Sequence, residues 1–152
     1  MNQFGYPFDP EFLPVTNAHP IIGLVHRHPG AARPLFDLEL NAMDDWDMQQ
    51  RLHFAYRAVF VSNPTVTATY HRSTARTCMT IVPPTVFLEA YHRITARWRH
   101  YWRPNPRIER LQRMVCDHYL AQHRKGEIND LDTYERFLER LKTLADNIEP
   151  TP

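Results

Sequence analysis

Prolines at 7, 10, 14, 20, 29 and 34 stand so close together that no helix of ordinary length fits in the first forty residues. Each lacks the backbone N–H a helix needs, and each pushes the residue before it toward extended geometry. The segment is therefore extended or irregular, but it is no solvated tail. Phe4, Tyr6, Phe8, Phe12, Leu13, Ile21, Ile22, Leu24 and Val25 carry more apolar surface than a disordered segment holds. Residues 1–42 read as a Pro-rich acidic arm that packs on the rest of the chain or docks on a partner. Phe4, Tyr6, Phe8 and Phe12 are its candidate partner-binding rings. Ile21–Val25 and Leu35–Leu40 are short candidate strands.

Residues 43–152 read as one helical domain with a β-hairpin at about 65–82. Leu52, Ala55, Tyr56 and Val59 recur at helical spacing behind an acidic first turn, and Asn63-Pro64 closes the segment, which predicts a helix over about 44–61. Thr65–Tyr70 and Thr77–Val82 are Thr/Val-rich runs around a basic loop, the pattern of a hairpin, and Pro83-Pro84 ends it. Phe87, Tyr91, Ile94, Trp98 and Tyr101 then trace an aromatic helical stripe, with Trp102 on its margin. After Pro104-Asn105-Pro106, a further helix places Ile108, Leu111, Val115 and Tyr119 on one face and ends at Gly126. Asp132 and Glu135 have capping-box spacing at the start of a last helix. The short connection before it predicts an antiparallel pair. The expected class is α+β, helix-dominated.

Charge is segregated along this framework. Residues 1–50 hold two basic groups against seven acidic, residues 51–125 thirteen against three, and residues 126–152 three against seven. The formal net charge of +1 conceals a strongly basic middle. On helical geometry His92, Arg93, Arg97, His100 and Arg103 oppose the aromatic stripe, and Arg99, Arg107, Arg110 and Arg113 extend the cationic set. Arginine contacts phosphate bidentately or stacks on a base, so these residues, with Arg72 and Arg76 in the hairpin loop and Trp102 as a stacking ring, are the candidate nucleic-acid-binding set. The expected partner is DNA or RNA. The alternative is a protein–protein adaptor or inhibitor, a subunit of a larger assembly, docking through the aromatic arm and its charged faces. A continuous basic face favours the first; interleaved acid and base favours the second.

Other chemistries find little support. His26-x-His28 and Cys116-x-His118 match no structural-zinc spacing, so no metal is expected. Four glycines supply no phosphate-cradling loop, and no nucleophile has a base and an acid partner in sequence, so no enzyme and no cofactor are expected. Cys78 and Cys116 read as free thiols in a reducing compartment. No apolar run spans a membrane and residues 1–14 lack signal-peptide character, so the chain reads as soluble and cytoplasmic, without membrane contact.

Overall fold

The computed structural model describes residues 8–18, 24–25, 36–62, 83–102, 105–126 and 131–147, with the side chains of 131–135 and 146 left aside. Among these residues the chain is 66% helical, with four helices and no β-strand, which corrects the expected α+β class to a helical one. The hairpin expected at about 65–82 and the strand expected at 21–25 lie largely or wholly outside the described residues. Residues 36–40, expected as the end of a strand, form turns, with the Leu40 N–H bonded to the Asp37 carbonyl at 3.1 Å.

Helix α1 spans Asp44–Gln50, with Asp44, Asp45 and Asp47 against the positive end of its dipole. It widens into a π-helical turn at Arg51–Ala55, where the Tyr56 N–H bonds the Arg51 carbonyl at 3.2 Å. The helix therefore ends well short of the expected residue 61. Arg57 takes the left-handed conformation at φ 54, and the Ala58 N–H turns back to the Leu52 carbonyl at 2.9 Å. This terminus resembles a Schellman cap with arginine where glycine usually sits. Beyond it Phe60 stacks on Phe8 at 4.1 Å, and the Phe8 N–H donates to Ser62 Oγ at 2.7 Å.

Helix α2 spans Pro84–Trp98. Pro83 is the non-helical flanking residue and Pro84 the first helical one, so the proline pair starts this helix as well as stopping what precedes it. A 3-10 turn at Arg99–Tyr101 leads to the corner. Helix α3, Pro106–Lys125, opens with the Asn105 side chain accepting from the Arg107 N–H at 2.9 Å. It closes at Gly126, φ 65, whose N–H meets the carbonyls of Gln122 and His123. Helix α4 spans Leu131–Asn147.

Helices α2, α3 and α4 pack as successive antiparallel neighbours. Phe87 in the first turn of α2 stacks on Tyr119 near the end of α3 at 5.7 Å. Arg107 at the start of α3 donates to the Ala145 carbonyl near the end of α4 at 2.7 Å, and His118 stacks on Phe137 at 4.0 Å. Between them lie Trp46, Tyr91, Ile94, Val115, Tyr119, Leu138 and Leu141, all essentially inaccessible. Full burial of side chains of this size stabilises by roughly 1.5–3 kcal/mol each.

Part of the arm lies inside this core. Residues 9–15 form tight turns, with the Phe12 and Leu13 N–H groups bonded to the Asp9 carbonyl at 3.1 Å. Phe12, Leu13, Val15 and Thr16 are buried. Three consecutive carbonyls of this stretch each receive a side-chain donor from a different helix. Trp46 Nε1 donates to Leu13 at 2.8 Å, Gln112 Nε2 to Pro14 at 2.9 Å, and the Tyr91 hydroxyl to Val15 at 2.7 Å. Proline-rich irregular backbone cannot satisfy its own carbonyls, and buried carbonyls without partners are costly. The helices α1, α2 and α3 supply what the arm lacks.

Candidate charged and aromatic surface

The arginines of the basic segment divide into a paired set and an exposed set. Arg97 ion-pairs with Asp37, and its Nη1 lies 2.9 Å from Asp47 Oδ1. Arg93 pairs with Glu39 and stands 3.8 Å from Asp37. Arg107 reaches Glu11 Oε2 at 3.2 Å besides its bond to Ala145. Three of the expected phosphate contacts thus hold the acidic N-terminal residues against the helices. The Arg97 hydrogen bond, helped by the Glu39 N–H, holds the Asp37 carboxyl below the usual carboxylate range.

Asp47 is the hub of this network. Its side chain is fully buried on α1; Oδ1 accepts the Trp98 indole N–H at 2.8 Å and lies 2.9 Å from Arg97 Nη1, and Oδ2 accepts from Arg51 Nη2 at 2.8 Å. A buried carboxylate needs such partners, and here two guanidiniums and an indole provide them. Asp45, two residues earlier, is driven the other way. Burial raises its carboxyl above the usual range, against a partial offset from Asn17 Nδ2 at 2.9 Å.

His92, Arg99, His100, Arg110 and Arg113 are exposed, whereas Arg72, Arg76 and Arg103 lie outside the described residues. Along α3 the exposed charges run Glu109, Arg110, Arg113, Asp117, Arg124 and Lys125, so acidic residues stand among the basic ones. Trp102 is half-buried, and its indole nitrogen is enclosed, which leaves little ring for stacking. On the aromatic stripe of α2 and its 3-10 turn the accessible ring is Tyr101, 45% exposed, packed on Phe54 at 5.5 Å and Trp98 at 5.6 Å and beside His100 at 4.1 Å.

Of the arm's candidate rings, Phe12 is a core residue and Phe8 is half-buried against Phe60; Phe4 and Tyr6 lie outside the described residues. The exposed apolar groups are elsewhere. Leu38 is 95%, Val59 88% and Val61 87% exposed. Exposure alternates from Ala58 to Val61, as in a strand-like segment whose inner residue, Phe60, rests on Phe8. The sequence places Asp47 in an acidic first helical turn and Tyr56 on a helical stripe, and assigns a site role to neither, nor to Arg51. The Asp47/Arg51 spacing of four was the available signal. Among the described residues no group of three metal-ligating side chains gathers, and no helix is long and apolar enough to cross a membrane. No protein-family model matches the chain, and no curated protein or solved structure matches it either.

Proposed function

We propose that the chain is a non-enzymatic protein-interaction module, an adaptor or accessory subunit. The interleaving of charge carries this reading. Arg93, Arg97 and Arg107 are neutralised by Asp37, Glu39, Asp47 and Glu11, and on α3 Glu109 and Asp117 flank Arg110 and Arg113. A surface that tracks phosphates needs cations without carboxylates among them, whereas a mosaic of both signs suits a protein partner of complementary pattern. Val59, Val61 and Leu38 supply apolar side chains that lose water on docking.

The test pairs two measurements on the full chain. Labelled single- and double-stranded DNA and RNA are titrated at about 50 and 200 mM salt, and no saturable binding is expected. Crosslinking in the source cells is then compared between the native chain and Val59→Asp/Val61→Asp. One partner retained by the first and lost by the folded variant supports the reading; an identical set of crosslinks sinks it.

A second reading rests on Arg99, His100, Arg110 and Arg113, which remain exposed. They would form a small patch for nucleic-acid phosphate. Saturable binding in the same titration that falls steeply with salt, and is lost in Arg110→Glu/Arg113→Glu, would replace the first reading by this one.

A further inference from the structure

Past the left-handed turn at Arg57 the chain runs Ala58-Val59-Phe60-Val61-Ser62, with Phe60 on Phe8 at 4.1 Å and Val59 and Val61 turned out, 88% and 87% exposed. β-Branched and aromatic side chains in this order suit a strand. Among the described residues no hydrogen bond engages the main chain of Val59, Phe60 or Val61, so their N–H and C=O groups form an unpaired edge. Such an edge is a template for a further strand. We propose that it pairs with the same edge of a second copy of this chain, as a two-fold antiparallel strand pair centred on Phe60. The inference rests on the protein-interaction reading and names the partner that Val59 and Val61 meet.

The segment is complementary to itself. In an antiparallel pair centred on Phe60, Val59 of one copy stands opposite Val61 of the other, Phe60 opposite Phe60, and Ala58 opposite Ser62. Opposed residues share a face, so the four valines gather on the outer face while the two Phe60 rings stay on the inner one, each on its own Phe8. Cross-strand pairs of β-branched and aromatic residues are favourable, and like charges directly opposed are not. Arg57 is the nearest charge in the sequence, and in this register the two copies of it lie at opposite ends of the pair. Moving the centre to Val59 would set Arg57 against Val61, and moving it to Val61 would set Phe60 against Ser62. The Phe60 register alone matches both valines with valines.

The surroundings bound what forms. Arg57 at φ 54 breaks extended geometry at one end, and the Phe8 N–H on Ser62 Oγ holds the arm beside the other. An isologous pair closes on itself, so it gives a dimer and no filament. Two strands without support are marginal, and here Phe8 backs the inner face. Five residues from each copy bury less than the roughly 1,200 Å² of a stable interface, so the dimer is weak, with a Kd on the order of 100 µM.

The experiment is sedimentation equilibrium of the full chain from about 5 µM to about 1 mM, over which the native chain should pass from monomer to dimer. Val59→Asp/Val61→Asp replaces two exposed side chains, so it should keep the melting transition and weaken the dimer at least about tenfold. The register is read by disulfide formation. An equal mixture of Val59→Cys and Val61→Cys chains should link position 59 to position 61 in excess over 59 to 59 and 61 to 61, as peptide masses show, because opposed residues are the closest. A native chain still monomeric at about 1 mM overturns the proposal. So does a dimer that the two aspartates leave intact, or a mixture in which the like-to-like links prevail. A monomeric native chain whose crosslinks in cells still depend on Val59 and Val61 would end the self-pairing alone and leave the protein-interaction reading standing.

Discussion

The indole of Trp46 donates to the main-chain carbonyl of Leu13 at 2.8 Å, so the first helix grips a proline-rich segment thirty-three residues upstream. Tyr91 does the same two residues on, at Val15. Both bonds are buried, and each substitution to phenylalanine keeps an aromatic ring while leaving a carbonyl unpaired. Trp46→Phe and Tyr91→Phe should each cost about 1–3 kcal/mol in a denaturant melt. The double variant should lose close to the sum unless the arm detaches as a unit, in which case the second change adds little. Two near-neutral single variants would mean that the arm is held by packing alone.

This grip explains where the sequence was readable and where it was not. Helices α2 to α4 could be read because their apolar residues recur at helical spacing and Asn105, Pro106 and Gly126 mark ends by local chemistry. The end of α1 could not. Nothing in the periodicity of Leu52, Ala55, Tyr56 and Val59 announces that Arg57 will turn left-handed. The arm's composition told that it would be covered, but Phe12 facing the core is a tertiary fact, fixed by Trp46, Tyr91 and Gln112. The basic face failed for a related reason. Helical projection places Arg93 and Arg97 outward correctly, yet cannot place Asp37 and Glu39 opposite them.

Asp47 is the most sensitive charged position. Asp47→Ala leaves Arg97 without one of its two carboxylate partners and removes the acceptor of the Trp98 indole, and a broken buried pair typically costs about 3–5 kcal/mol. Glu11→Gln should cost no more than about 1 kcal/mol, because its pair with Arg107 is at the surface and Arg107 keeps the Ala145 carbonyl. Chemical denaturation of the two variants side by side checks the contrast. Equal losses would show that burial does not set the scale here.

Asp37 and Asp45 should give stability profiles of opposite slope with pH. The carboxyl of Asp37 is lowered in the folded chain, so its contribution is present above the unfolded value of about 3.9 and is lost as pH falls through the folded one. Asp45 is raised by burial, so the folded state is penalised for ionising it, and stability drains away as pH rises from about 3.9 to the folded value. Asp37→Asn should therefore fall further below the native chain as pH rises from acid toward neutral. Asp45→Asn should gain on it over the same span. Thermal melts of both variants across that range decide it, and parallel profiles would refute the assignment.

The two left-handed residues outside glycine, Met43 and Arg57, differ in what they can give up. Met43, φ 58, is buried in the core beside Trp46, so replacing it with glycine trades relief of backbone strain for a lost side chain. Arg57, φ 54, is exposed. A non-glycine residue in this region costs roughly 1–2 kcal/mol, part of which is offset by the entropy glycine adds to the unfolded chain. Arg57→Gly should accordingly stabilise by about 0.5–1 kcal/mol. Gly126→Ala should destabilise by a similar amount. At φ 65 the added methyl group meets nothing within 4 Å, so the penalty is that of the backbone alone. Matched urea melts read both. If Arg57→Gly destabilises instead, the arginine side chain holds the end of the π-turn through an interaction that outweighs its strain.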